Sequence, residues 1–161
     1  MISPSICSFI FFGSAIRLSA TFSRGFFVIP MVWRKLHRRK NAIPDRLNSD
    51  FVIALNDYAK DIAFTGAQPA FDYYAAIEVS SPDAVLNDME SVSLPAGRYA
   101  VFTFRGKSKD STQPMIDFIY KEWLLKSSYQ LNESARYDFV RYGEAVDEKG
   151  ESHIEVWLPV K

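Results

Sequence analysis

Cysteine and histidine are scarce in this sequence of 161 residues. Cys7 is the one cysteine, and His37 and His153 are the two histidines. A single cysteine excludes an internal disulfide and suits a reducing compartment, so we expect a cytoplasmic protein. Three such side chains are also too few for a Cys/His zinc site, and we expect neither a metal nor another cofactor.

An excess of charge of either sign is missing as well. Lys plus Arg and Asp plus Glu number 19 each, which gives a formal net charge of zero. Proteins that depend on phosphate contacts usually carry a basic excess. We therefore expect no direct binding to DNA.

The chain also lacks a hydrophobic run near its start that is long enough for a membrane helix. The apolar stretch at residues 6–12 is far shorter than the ~20 residues that such a helix needs. No Lys or Arg precedes it and no clear cleavage site follows it before Arg17, so a signal peptide is not indicated. We expect no membrane association, a first β-strand from Ser8, and disorder over residues 1–7.

Aromatic residues, in contrast, are abundant: 13 Phe, 8 Tyr and 3 Trp make up 15% of the chain. Rigid rings suit a hydrophobic core, and they equally suit a pocket for flat or cationic ligands. Composition does not separate these two uses. The length fits one domain, which we place at residues 8–161.

Two segments carry the apolar stripe of an amphipathic helix, with residues spaced i, i+3, i+4 and i+7. The stripes consist of Ile29, Val32, Trp33 and Leu36, and of Ile116, Ile119, Tyr120 and Trp123. Pro30 and Pro114 are each expected in a first helical turn, where proline is tolerated. The basic run at residues 34–40 then reads as a solvated helix end.

Predicted strands surround these helices in a repeated order. They cover residues 8–21, 51–56, 71–79, 98–105, 137–142 and 153–160, with a bulge or bend expected at Gly13, a turn at 94–97 and a hairpin turn at 147–150. The pseudo-repeat halves, 8–80 and 94–161, each read strand, helix, strand, strand. This pattern predicts an α+β fold made of a duplicated βαββ module.

The second half resembles a known family through four motifs. They are LPAGRYAVFTFRG at 94–106, IYKEWLL in the second helix, RYDFVRY at 136–142 and HIEVWLPV at 153–160. Together they are similar to the GyrI-like (gyrase-inhibitor-like) effector-binding family, which includes the ligand domains of AraC-type and MerR-type multidrug regulators. The first half is similar more loosely, through the helix start at Ile29-Pro30 and Trp33.

The resemblance implies a curved antiparallel sheet with two helices on one face and a central ligand groove. Family members bind hydrophobic, often cationic aromatic compounds there, using acidic and aromatic side chains. Most regulators carry the domain behind a helix-turn-helix, for which this chain leaves no room because its first half already belongs to the fold. The expectation is a freestanding bacterial sensor or binder that is not an enzyme, with a homodimer or a protein partner as further options.

One family position is changed. The family's F-E-x-Y strand carries a ligand-facing glutamate, and the matching run here is Phe139-Val140-Arg141-Tyr142. Val140 stands in place of that acid, whereas the acid of the closing strand is retained as Glu155. With one carboxylate left, strong recognition of dications and two-acid catalysis are not expected.

Seven residues are candidates for the ligand site: Glu155, Trp157, Tyr142, Tyr74, Trp33, Trp123 and Glu78. Strand alternation puts Glu155 and Trp157 on one face, so a carboxylate lies beside an aromatic ring, and Glu78 is the pseudo-symmetric counterpart of Glu155. Without a ligand role, the glutamates would be solvated or paired with an arginine, and the tyrosines and tryptophans would pack in the core. Tyr99 reads as core and His153 as a plain surface histidine.

Two other functions remain open. Some GyrI-like proteins resemble hydrolases that open reactive genotoxic molecules, for which Glu155 as base and Tyr142 as orienting group are the candidates. A protein-binding inhibitor of the gyrase-inhibitor type would instead use an exposed apolar patch.

Overall fold

Six strands and two helices make up the regular structure of the residues described. The computed structural model describes residues 4–47, 50–58, 70–81, 83, 85–110 and 112–161. The strands are β1 Ser5–Thr21, β2 Phe51–Asp57, β3 Ala70–Glu78, β4 Glu90–Gly106, β5 Tyr137–Gly143 and β6 Ser152–Val160. The helices are α1 Phe22–Arg39, followed by a 3-10 turn at Lys40–Ala42, and α2 Gln113–Phe118, which continues as a π-helical turn at Ile119–Trp123 and ends at Leu124–Lys126.

The strands form a closed antiparallel barrel in the order β1–β3–β2–β5–β6–β4, and β4 pairs back to β1. Strand, helix, strand, strand occurs twice along the chain, so the predicted α+β fold with a duplicated βαββ module is confirmed. Closure of the curved sheet was not predicted. It arises because β1 pairs with β4 and β2 with β5, which joins each half to the other.

Side-chain alternation divides the apolar core into two clusters, one on each face of the barrel wall. The helix-facing cluster includes Val32 and Leu36 of α1, Met115 and Ile119 of the α2 region, and strand residues such as Phe102. The buried members of the interior cluster all lie on strands: Ala15, Ile53, Leu55, Ala76, Leu94, Tyr99, Val101, Phe139 and Trp157. The helices thus cover the outside of the barrel, and Tyr99 is a core residue as predicted.

Helix α1 is longer than predicted. It begins at Phe22, so Pro30 lies inside the helix and its placement in a first turn was wrong. Pro30 has no N–H to donate to the carbonyl of residue 26, but the stripe of Val32 and Leu36 continues to bury the following turns. The packing of that stripe outweighs one lost hydrogen bond. Pro114, in contrast, does lie in the first turn of α2.

The fourth strand also differs from its prediction. Residues 94–97 were expected as a turn, but β4 runs through them from Glu90 to Gly106. Phe9 pairs with Gly97 and Phe11 with Leu94, so three steps along β4 match two along β1. The extra residue is a bulge at Pro95-Ala96, where proline cannot donate a ladder hydrogen bond.

The first strand starts earlier and bends elsewhere than predicted. Ser5 pairs with Val101 and Cys7 with Tyr99, so the expected disorder over residues 1–7 does not hold for Ser5–Cys7. Residues 1–3 lie outside the described part of the chain. The expected bulge at Gly13 was also wrong, because Gly13 pairs regularly with Glu78 on one side and Val92 on the other.

The hairpin between β5 and β6 confirms the predicted turn at 147–150. The Asp147 carboxylate accepts hydrogen bonds from the backbone N–H groups of Lys149 and Glu151, at 2.9 Å each. Gly150 has a φ of 75°, a left-handed conformation that favours glycine. Among the described residues, no helix combines the length and apolar character needed to cross a bilayer.

Candidate functional site

The predicted ligand residues lie on both faces of the barrel wall. Four belong to the interior side: Glu155, Trp157, Tyr74 and Glu78. The other three pack against the helix-facing cluster: Tyr142, Trp33 and Trp123. The structure therefore does not bring the seven residues together in one groove.

The interior residues surround a guanidinium that the chain supplies itself. Arg141 Nη1 lies 3.2 Å from Glu155 Oε2, and Arg141 Nη2 lies 3.8 Å from Glu78 Oε2. Its Cζ lies 4.3 Å from the ring centroid of Phe51 and 5.5 Å from that of Trp157. We call these five residues the Arg141 cluster. Two carboxylates and two aromatic rings are the groups that hold organic cations in proteins.

Glu155 is fully engaged in this arrangement. Trp157 Nε1 donates to Glu155 Oε2 at 2.8 Å, and His153 Nε2 lies 3.0 Å from Glu155 Oε1. The Glu155 side chain is 14% exposed, so it is neither solvated nor unpaired. His153 lies at the surface as expected, with its side chain 43% exposed, and its ring also lies edge-on to Phe51 at 5.8 Å.

Burial controls the electrostatics of the cluster. It raises the pKa of Glu78 above the ordinary 4.5, and Arg141 lowers it by a smaller amount. Burial also raises the pKa of the Cys7 thiol, and the nearby charge of Glu155 adds to that effect. Arg141 Nε is buried and has no hydrogen-bond partner within the described structure. The cluster thus places two carboxyl groups around one guanidinium.

The helix-facing aromatics form a separate group. Trp33 Nε1 donates to the Tyr73 hydroxyl at 2.8 Å, and the Trp33 ring lies edge-on to Tyr142 with centroids 6.1 Å apart. Burial raises the pKa of both tyrosines. Val140, which replaces the family's acid, is buried on this face at 8% exposure. This face has the aromatic groups of the expected groove with a valine at that position, although Asp138, two residues earlier on the same face, is a carboxylate hydrogen-bonded to Asn56 at 2.9 Å.

Trp123 is a packing residue of α2. Its ring contacts Phe102 edge-on at 5.0 Å and stacks on Tyr129 at 6.2 Å. These are the contacts of a packing residue in the core, which was the ordinary interpretation of Trp123.

The residue pair of the hydrolase alternative is not assembled. The ladder between β5 and β6 pairs Arg141 with Glu155 and Tyr142 with Ile154. Tyr142 thus shares the helix-facing side with Ile154, whereas Glu155 faces the interior. A base and an orienting phenol on opposite faces of one sheet cannot act on the same water.

A pocket of about 330 Å³ opens at the end of the barrel away from Arg141. Asp57 pairs with Tyr137 at this end of the ladder, whereas Phe51 pairs with Gly143 at the other. The lining includes both members of that first pair, the bulged segment 94–97, Tyr99 and Pro159. Sequence reasoning missed this pocket because it assigned residues 94–97 to a turn, although a proline within a strand is itself a sign of a bulge.

The described strands form a six-stranded barrel of two βαββ modules, with the Arg141 cluster in its interior. The family model for the GyrI-like small molecule binding domain matches residues 14–161. The chain belongs to the GyrI-like family. No protein of curated function matches the sequence at a significant level.

Solved structures with low sequence identity share the fold. SAV2435 bound to tetraphenylphosphonium has a TM-score of 0.73 at 13% identity, with 99% of this chain and 94% of that chain covered. The C-terminal domain of EcmrR has a TM-score of 0.63 at 14% identity, with 100% and 98% covered. An integron cassette protein from the mobile metagenome of Vibrio cholerae also has a TM-score of 0.63, at 20% identity, with 99% and 96% covered.

Proposed function

We propose that this protein binds a hydrophobic, cationic aromatic small molecule without chemical turnover, as a sensor or a sequestering protein. The cation takes the position of the Arg141 guanidinium between Glu155 and Glu78, against the rings of Phe51 and Trp157. Glu155 and Trp157 keep the roles predicted for them, and Glu78 joins as the second acid. Tyr142, Trp33 and Trp123 remain outside this site.

The Arg141 cluster is the observation that carries the proposal. The chain already holds one delocalised cation between two carboxylates and two ring faces. The guanidinium is not fully hydrogen-bonded, because Arg141 Nε–H is buried without an acceptor in the described structure. A buried donor without an acceptor destabilises the folded state by about 1–3 kcal/mol. A ligand cation without that donor avoids this cost, while Arg141 regains hydration at the barrel mouth.

The free energies expected for binding favour selectivity over high affinity. Burying ~300 Å² of apolar ligand surface contributes roughly 7 kcal/mol. Association costs at least about 4 kcal/mol, which leaves a dissociation constant in the high micromolar to millimolar range. Cation–π contacts add about 0.5–2 kcal/mol each. A neutral ligand of the same shape has no means of replacing the guanidinium, so the cluster selects for charge.

Tetraphenylphosphonium is the first probe, because a protein of the same fold has been solved with it bound. Calorimetry compares it with neutral triphenylphosphine oxide. We expect binding of the cation, at least about tenfold weaker binding of the neutral compound, and about tenfold weaker cation binding in Glu155→Gln. Arg141→Met removes the internal competitor and strengthens cation binding by about tenfold.

Glu148→Gln is the matched control, since this glutamate is exposed on the β5–β6 hairpin and lies outside the cluster. It should leave the affinity unchanged. Equal affinity for the cation and the neutral compound, with no change in Glu155→Gln, would contradict the charge-selective mechanism.

A further inference from the structure

We infer that the pocket at the Asp57 end of the barrel is a second small-molecule site, specific for small organic ammonium ions. It is independent of the Arg141 cluster, which lies at the other end. Its volume of about 330 Å³ is at the lower end of the ~300–1,000 Å³ that ligand pockets occupy. The ligand is therefore a compact amine with a single ring or a short branched body.

The apolar part of the pocket comes from the bulge in β4. The extra residue at Pro95-Ala96 carries the strand away from regular pairing with β1. Leu94, Pro95 and Pro159 line the space, together with Gly97. A Cβ built on Gly97 would lie 3.7 Å from Tyr99 Cε2, so a larger side chain there would enter the pocket beside Tyr99 without a backbone clash.

A pair of tyrosines supplies the polar aromatic part of the lining. The hydroxyls of Tyr99 and Tyr137 lie 2.6 Å apart, and their ring centroids are 6.4 Å apart. Tyr99 is fully buried beneath the pocket, whereas Tyr137 is partly exposed. Tyr137 can thus offer a ring face to a cation, with its hydroxyl oriented by Tyr99.

Charged residues of both signs lie around this end of the barrel. Asp57 lines the pocket and pairs across the ladder with Asp72, which places the two side chains side by side on the interior face. Arg17 lies 3.7 Å from Asp72 and 2.9 Å from Glu90, so it pairs with these two carboxylates. Asp57 is the acidic residue among those that line the pocket. Arg98 also lines the pocket, but its guanidinium lies over the Tyr129 ring, at 5.8 Å.

A layer of packed rings separates the two ends. Tyr99, Phe139 and Trp157 contact one another, with centroids 5.2–5.6 Å apart. Tyr99 belongs to the pocket, and Trp157 donates to Glu155 in the Arg141 cluster. A ligand at one end therefore cannot reach the other, so binding at each site can be measured separately.

An NMR titration with 2-phenylethylammonium tests the site. The backbone amides of Gly97 and Tyr137 report the pocket, and the Nε–H of Arg141 reports the other end. We expect saturable shifts at the two amides with a dissociation constant on the order of 1 mM, fitted separately from any movement of the Arg141 signal. Asp57→Asn should weaken binding by about fivefold or more, and Gly97→Leu should abolish it by filling the space.

Glu148→Gln serves as the control, because this exposed glutamate lies in neither site, and should leave these shifts within about twofold of the original protein. Neutral 2-phenylethanol should bind at least about fivefold more weakly than the amine. The inference is overturned if the two amides show no saturable shift, if both variants bind the amine normally, or if the alcohol binds as tightly as the amine. Asp57→Asn changes no volume, so it keeps the test valid should Gly97→Leu fail to fold. Failure here leaves the Arg141 cluster untouched, because that site has its own signal.

Discussion

The two glutamates of the Arg141 cluster differ in how far contacts with other groups compensate their burial. Glu78 is 7% exposed, and its distance of 3.8 Å from Arg141 is long for an ion pair. The cost of removing the carboxylate from water is therefore only partly recovered. Glu155, with three contacts at 2.8–3.2 Å, is compensated more completely. The two acids should consequently respond differently to substitution.

Glu78→Gln should stabilise the protein at neutral pH. Burial raises the pKa of Glu78 in the folded state, so the wild type loses stability as pH rises from about 4.5 through that raised pKa. The amide mimics the protonated acid and avoids this loss. The thermal midpoint of the variant should be about 2–4 °C above that of the wild type at pH 7 and equal to it near pH 4. A lower midpoint at pH 7 would show that the pairing with Arg141 outweighs desolvation.

Arg141→Met should destabilise the protein, since it leaves two interior carboxylates without their cation. We expect the free energy of unfolding at pH 7 to fall by about 3 kcal/mol. Arg141 lowers the pKa of Glu78, so its removal raises that pKa further, and the loss should shrink at pH 5 as Glu78 takes up a proton. Urea unfolding at the two pH values measures both effects. A loss that is independent of pH would contradict this assignment.

The face of Glu155 could be predicted from the sequence, but its partners could not. Alternation along one strand is a local property, and it placed Glu155 and Trp157 together correctly. Arg141 and Glu78 reach Glu155 only through strand pairing across the barrel. The family motif directed attention to Val140, whereas the neighbouring Arg141 proved to face the interior beside Glu155.

At the scale of elements, the positions of the helices could be predicted from the sequence, but their ends could not. The stripe of α1 was read correctly, because its burial is periodic. The stripe of α2 was read correctly except at Tyr120, which is exposed within the π-helical turn. The start of α1 and the continuation of β4 were not predicted, since Pro30 was assigned to a first helical turn and Pro95 to a turn between elements. In both cases tertiary packing tolerates a missing N–H, within a long helix or at a bulge.

Trp123 should matter more to the stability of α2 than its exposed neighbour does. Its ring contacts Phe102 and Tyr129, whereas Leu125 is 78% exposed. Trp123→Ala should lower the free energy of unfolding by about 3 kcal/mol, and Leu125→Ala by less than about 0.5 kcal/mol. Chemical denaturation followed by circular dichroism compares them. Similar losses in both variants would mean that α2 does not anchor through Trp123.

On the scale of the whole molecule, barrel closure makes the two βαββ halves depend on each other. The β1–β4 and β2–β5 ladders both join one half to the other, and the interior cluster draws on both. The duplication was readable from the order of elements. Closure was not, because it depends on which edge strands meet.

Unfolding should therefore be a single cooperative transition. Tryptophan fluorescence senses Trp33 in the first half and Trp123 and Trp157 in the second, whereas circular dichroism senses the whole sheet. The two urea curves should coincide, and residues 1–86 expressed alone should not fold. Separate midpoints, or a folded first half, would show that the modules are independent.

The Nε–H signal of Arg141 in an NMR titration with tetraphenylphosphonium tests the central claim most directly. If a bound cation replaces the guanidinium, this signal should leave its buried position and approach that of a solvated arginine, saturating with the ligand, while triphenylphosphine oxide leaves it in place. Saturable binding of the cation with an unmoved Arg141 signal would contradict the account.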